Sequence, residues 1–155
     1  MVYSLIKQRL ENNDTIILDG ANGAELEKKG AKMHKDLWCG TCSVESPDLV
    51  KRVHEEYILA GADIITTNTY ATTPIGMKQY GFTDKINHFN KKSVQIAKDA
   101  VKNSNKDIAI AGSVSTFGSL YKFGIKAMIP GFEEQLKILS GEGVDLIILE
   151  AMSSQ

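Results

Sequence analysis

Cysteine, proline and excess charge of either sign are all scarce in this sequence, and each scarcity excludes something. There are only two cysteines, Cys39 and Cys42, too few and too close together for the disulfide framework of a small secreted domain. Three prolines beside 13 glycines, with 43% hydrophobic residues, exclude a collagen-like chain and a disordered one. Eighteen Lys plus Arg face 19 Asp plus Glu, for a net charge of −1 without charged blocks. The basic stripe of a nucleic-acid binder is therefore missing, and no nucleic-acid partner is expected. No apolar run approaches the ~18 residues of a membrane span. Residues 1–13 mix Leu5, Ile6 and Leu10 with Lys7, Arg9 and Glu11, an amphipathic segment unlike a secretory leader. These absences together lead to the expectation of a cytoplasmic protein with no membrane partner. What is present is enough for a folded unit, since a chain of 155 residues buries about 70% of its unfolded surface.

Strands alternate with helices along the chain. Thr15-Ile-Ile-Leu18 is a β-branched run ended by Asp19-Gly20, which predicts a buried strand. Ser46-Pro47 offers a helix N-cap and a first-turn proline; Val50, Val53, Tyr57 and Ala60 then recur at helical spacing until Gly61. Asp63-Ile-Ile-Thr-Thr67 predicts a second strand. Thr83-Asp84 opens a helix carrying Ile86, Phe89, Val94, Ala97 and Val101. Asp107-Ile-Ala-Ile-Ala111 is the third strand, closed by Gly112-Ser113. A loop rich in Gly, Ser and aromatics leads to a helix with Phe132, Leu136 and Leu139, and Asp145-Leu-Ile-Ile-Leu149 is the last strand, closed by Glu150.

Two helix-to-strand joints nearly repeat, Ala60-Gly-Ala-Asp-Ile-Ile65 and Glu142-Gly-Val-Asp-Leu-Ile-Ile148. A helix ends at glycine, the chain reverses, and an apolar strand begins. Near-continuous apolar strands imply a parallel sheet covered by helices. The class is α/β, and both a (β/α) barrel and an open doubly wound sheet fit, with residues 1–155 forming one unit and no second domain. In both architectures ligands bind at the carboxyl ends of strands. Here those ends carry Asp19 and Gly20, Asn68 and Tyr70, Ser113, and Glu150. Two carboxylates and an amide converging on one rim suit a ligand with an ammonium group; the alternative is that Asp19 and Glu150 only cap turns.

An ordered set of blocks then carries a resemblance. Asp19-Gly-Ala-Asn-Gly-Ala-Glu-Leu26 with Gly30, Asp36-Leu-Trp38, Ser46-Pro47 with Val53-His54 and Tyr57, the stretch from Ala60 to Tyr70, Ala111-Gly-Ser-Val114, and Gly143 to Glu150 resemble the homocysteine S-methyltransferase family. That family includes betaine-dependent enzymes and the homocysteine domain of methionine synthase. The resemblance implies a (β/α)8 TIM barrel, of which this chain would hold the first four β/α units. It also implies methyl transfer from an activated donor (sulfonium, quaternary ammonium or corrinoid-borne) to the zinc-bound thiolate of homocysteine, a step of methionine biosynthesis. By the resemblance, the partners are homocysteine and a methyl donor. The substrate-binding residues it implies are Asp19 and Glu150 near the amino group, with Gly20, Asn68 and Tyr70 on the rim.

Three features of the chain depart from that pattern. Asn22 stands where the family often has Met, and Ser115-Thr116 where Gly-Pro is common. The family's zinc cysteines lie in the second half of the barrel, beyond Gln155, so the metal residues expected here are none. The chain alone is expected to bind no zinc and to be inactive. At 155 residues it is about 100 short of a typical barrel of about 250. It therefore reads as the amino-terminal half, with open sheet edges through which copies could associate as a homo-oligomer. Two alternatives follow: a non-catalytic ligand-binding or oligomerising half-barrel module, or a thiol–disulfide redox protein using Cys39 and Cys42. Against the second, no strand precedes Trp38-Cys-Gly-Thr-Cys42, and the pair is expected to be reduced thiols in a surface loop. His54 and His88 read as satisfied surface or interface histidines.

Overall fold

The structure is a computed structural model that describes residues 2–117 and 120–152; Gly118 and Ser119, part of the loop expected from the sequence, lie outside them. A three-stranded parallel sheet, in the order β1 (Ile64–Thr66), β2 (Ala109–Ser115) and β3 (Leu146–Glu150), forms its centre. The long helices that precede these strands are α4 (Pro47–Ala60), α6 (Ile86–Ser104) and α7 (Leu120–Gly141), the last broken by a non-helical kink at Gly124. Shorter elements fill the connections: α1 (Val2–Glu11), α2 (Asn22–Lys28), α3 (Cys42–Glu45) and α5 (Pro74–Gln79).

The two repeated joints fold alike. Gly61 ends α4 with φ 106° and Gly143 follows α7 with φ 73°, a left-handed conformation open to glycine at little cost. Each joint then uses its aspartate in the same way. Asp63 donates its N–H to the Ile17 carbonyl (2.8 Å) while its carboxylate accepts the Ile17 N–H (2.8 Å). Asp145 donates to the Ile110 carbonyl (2.9 Å) while its carboxylate accepts the Ile110 N–H (2.9 Å). The repeated aspartate thus clamps the start of its strand to the neighbouring strand. Arg9 of α1 adds an ion pair to Asp63 at 2.6 Å and, with the Ile17 bond, holds that carboxyl below its usual range. Replacing Asp145 by alanine orphans the N–H of Ile110, a buried residue, and is expected to cost about 1–3 kcal/mol of stability in urea unfolding; an unchanged midpoint would refute the clamp.

Strand alternation sorts side chains onto two faces. Ile65, Ile108 and Ile110 pack outward with Ile58, Ala97 and Ala100 of the covering helices, and Val114 packs with Val94 and Leu139. Ile64, Ala109 and Ala111 point to the opposite face, where Ile6 of α1 covers them together with the half-buried Ile16, Leu146 and Ile148. The amphipathic opening segment is therefore a helix whose apolar side closes one end of the inner face.

The first expected strand is only partly formed. Residues 15–18 run parallel to β1 but make a single bridge, Leu18 to Ile64, and Ile17 and Leu18 are 48% and 42% exposed rather than buried. The Asp63 carboxylate takes the Ile17 N–H, and the described residues provide no strand on the far side. At the other edge, Leu149 of β3 is 64% exposed. Other boundaries also shift. The Ser46 side chain makes no capping bond although α4 begins at Pro47, and Thr83-Asp84 lies in a 3-10 turn ahead of α6. The glycine-rich segment after Asp19 enters a helix at Asn22. Among the described residues no helix is long and apolar enough to cross a membrane.

Candidate functional site

The carboxyl ends of the strands open into a cavity of about 490 Å³ whose lining includes Asp19, Gly20, Asn68, Tyr70 and Glu150, the five substrate-binding residues that the resemblance implies, whereas Ser113, also expected at a strand end, is fully buried and does not line it. Trp38, Asn22, Thr66 and Cys39 join them. Strand geometry explains the convergence: Thr66 on β1, Ser113 on β2 and Glu150 on β3 follow the inner-face parity set by Ile64, Ala109, Ala111, Leu146 and Ile148.

The two carboxylates are held differently. Asp19 accepts three bonds: from the Thr66 N–H (2.8 Å), the Thr66 hydroxyl (2.6 Å) and the Asn22 amide (3.2 Å). Burial pushes its pKa up, these bonds oppose the shift, and the nearby charge of Glu150 adds to the push. Glu150 accepts one bond, from the Ser113 hydroxyl at 3.0 Å. Neither acid forms an ion pair among the described residues. Two carboxylates near one cavity without a cation are an electrostatic cost that a cationic ligand would relieve.

An aromatic wall stands beside the acids. Trp38 meets Tyr70 edge-on at 6.3 Å, and Tyr70 meets Phe117 at 5.5 Å. Trp38 has φ 45°, a conformation that is strained for a bulky side chain. Its backbone is fixed by a bond from the His34 N–H to its carbonyl at 2.8 Å. Its ring lies over Gly23, where a Cβ would come within 2.3 Å of the indole. Glycine at 23 is thus what lets the tryptophan reach the rim. Gly20 has a similar reason, since a Cβ there would meet the Tyr57 hydroxyl at 2.8 Å.

Asn68 lines the cavity but turns its amide nitrogen inward, donating to the Cys39 carbonyl (2.9 Å) and the Ser43 hydroxyl (3.1 Å). It braces the segment behind the wall, and Ser93 of α6 continues that brace to Ser43 at 2.8 Å. Ser115, where the resembling family often has glycine, donates to the Tyr70 carbonyl and accepts from the Phe117 N–H at 3.0 Å, tying two of the wall's aromatics together. Reading strand ends alone missed Thr66 and Trp38 as rim residues. The parity of β1 was the available signal for Thr66; a loop tryptophan offered none.

The cysteine and histidine expectations need correction. Cys39 and Cys42 are reduced but buried, not in a surface loop. Burial pushes the Cys39 thiol up to about 12, with Cys42 adding to it, and raises Cys42 as well. A redox nucleophile needs the opposite shift and an accessible sulfur. His54 is neither on the surface nor satisfied: it is fully buried, and both ring nitrogens lack a hydrogen-bond partner among the described residues. His88 is exposed. Among the described residues no group of three or more His, Cys, Asp or Glu side chains could hold a metal ion, so zinc finds no donor set in them.

A family model described as Homocysteine S-methyltransferase matches residues 16–155. The chain is similar to Homocysteine S-methyltransferase 4 of Zea mays, with 29% identity over 90% of this chain and 48% of the relative. It is similar to the Selenocysteine methyltransferase of Astragalus bisulcatus, with 31% identity over 90% of this chain and 51% of the relative. The crystal structure of the metallated homocysteine methyltransferase MmuM from Escherichia coli superposes with a TM-score of 0.73 at 29% identity, covering 91% of this chain and 55% of that one. The chain spans about half the length of the curated relatives it matches.

Proposed function

The chain belongs to the homocysteine S-methyltransferase family, and on that premise we propose that its cavity holds homocysteine, or a close amino-acid thiol or selenol, as the acceptor in a methyl transfer that yields methionine or its analogue. The observation that carries this reading is the pair Asp19 and Glu150, converging on one cavity with no ion-pair partner for either among the described residues. An α-ammonium group supplies that cation.

In this proposal Glu150 and Asp19 fix the amino end of the acceptor, and the sulfur reaches toward the open side of the rim. The thiolate attacks the methyl carbon, a new S–C bond forms, and the bond to the donor's sulfur, nitrogen or cobalt breaks, with its electron pair staying on the donor. Trp38 and Tyr70 present aromatic surface to that region, which favours a cationic donor by cation–π attraction and limits water. The relatives' full length implies that the complete reaction uses residues outside these 155. The closed (β/α)8 barrel, of which this sheet would be the first part, belongs to the same proposal. The described residues do not fit zinc, so any donors it needs would have to be supplied by residues outside them.

The test is methionine formation by the full polypeptide that carries these residues, supplied with L-homocysteine and, in turn, S-methylmethionine, S-adenosylmethionine and betaine. One donor is expected to give methionine, and Glu150→Ala to reduce the yield on the order of 100-fold, the scale of losing one partner of a charged hydrogen-bonded pair. No methionine from any donor, or full activity in Glu150→Ala, would sink the reading.

A further inference from the structure

Ser113 sits in the middle of the sheet, fully buried, on the strand face that points into the cavity. Its neighbours on that face along β2 are Ala111 and Ser115, so the fold at this level asks only for a small side chain. A hydroxyl here needs another explanation, and its bond to Glu150 Oε2 at 3.0 Å provides one. The serine backbone is clasped on both sides. Its N–H donates to the Thr67 hydroxyl (3.2 Å), its carbonyl accepts from the Thr69 hydroxyl (2.7 Å), and those two hydroxyls bond each other at 2.8 Å. The donor to Glu150 is thus anchored by the end of β1, while Glu150 itself lies on a half-exposed edge strand.

The two acids also differ in what they have left to offer. Asp19 takes three protein donors; Glu150 takes one among the described residues. A carboxylate has about four acceptor positions, so Glu150 keeps most of its capacity for a ligand.

We propose that Ser113 is a positioning residue: its hydroxyl, carried on a backbone that Thr67 and Thr69 fix, holds one oxygen of Glu150 and so aims the other at the ligand's ammonium group. This rests on the amino-acid reading of the cavity given above. In the proposed arrangement Glu150 supplies the main ammonium contact, and Ser113 sets how well the site distinguishes an amino acid from the same molecule without its amino group.

The test is calorimetric titration of the full polypeptide with L-homocysteine and with 4-sulfanylbutanoate, which lacks only the ammonium group. Wild type is expected to prefer homocysteine, Glu150→Gln to abolish that preference, and Ser113→Ala to reduce it about tenfold by weakening homocysteine alone, the scale of one hydrogen bond to a charged group. A merely structural serine would weaken both ligands together or neither, and either outcome, with Glu150→Gln still abolishing the preference, overturns the inference. If Glu150→Gln keeps the preference, the amino-acid reading of the cavity fails and the role of Ser113 falls with it.

Discussion

Asp19→Ala is expected to destabilise the protein by roughly 2–4 kcal/mol, whereas Asp19→Asn leaves stability unchanged or raises it. The alanine leaves the N–H of Thr66, a buried residue, without its acceptor, and removes a partner of the Asn22 amide and of the Thr66 hydroxyl; one orphaned buried donor alone costs about 1–3 kcal/mol. The asparagine keeps this pattern. Its oxygen can accept from Thr66 N–H and Asn22, and its amide can donate to the Thr66 hydroxyl once that hydroxyl turns. It also removes a charge that burial and Glu150 both disfavour. Because the folded pKa of Asp19 lies above its unfolded value, the folded state holds this proton more tightly. The acid's contribution to stability is therefore greatest at low pH and is lost as pH rises through the folded pKa. Asp19→Asn is expected to flatten that part of the pH profile. Urea unfolding of both variants at pH 7.5 decides the matter: equal destabilisation would mean that the hydrogen-bond pattern is not what holds Asp19. A half-buried carboxylate that costs stability where an amide would not is a feature selected for a ligand.

The same contrast shows how much was legible beforehand. The repeated glycine–aspartate joints were readable because both halves of their job are chemical: glycine for a left-handed turn, aspartate for a neighbour's N–H. The apolar strand cores and the rim positions followed from alternation and from where the runs ended. The first strand was misjudged because apolar content reports a preference for burial, and residues 15–18 have a single partner strand among the described residues. Trp38 was beyond spacing rules, since its place at the rim depends on a positive φ and on the missing side chain of Gly23, the second residue of α2. Asn68 was placed at the right rim, but sequence carries no sign that its amide nitrogen would turn toward Cys39 and Ser43. Burial of the two cysteines was likewise set by packing of the loop against Leu26, Val50 and Val53, partners that are distant in sequence.

His54 was read least well, and the result is a second large effect. Its imidazole is fully buried with neither nitrogen bonded among the described residues, and burial lowers its pKa from 6.5 to about 4. An unpartnered ring of this kind stays neutral in the folded state and is protonated first in the unfolded chain. Between pH 6.5 and about 4 the unfolded state therefore binds more protons, and stability rises with pH across that window. Above it the native state keeps its full stability; toward its lower end this share is lost. At pH 5 the loss amounts to about 2 kcal/mol relative to pH 7.5, from 1.4 kcal/mol per pH unit below the unfolded pKa. His54→Leu has a similar volume and no polar atoms to leave unsatisfied, so at pH 7.5 it is expected to match or exceed the wild type. Other acid-sensitive groups, Asp63 with its lowered pKa among them, act equally in both proteins and cancel in the difference. Urea unfolding of the pair at pH 7.5, 6 and 5 should thus show the leucine variant gaining about 2 kcal/mol on the wild type as pH falls. Parallel curves would mean that the histidine gains a partner or solvent in the native state, and its neutral burial between α4 and the rest of the core would have to be abandoned.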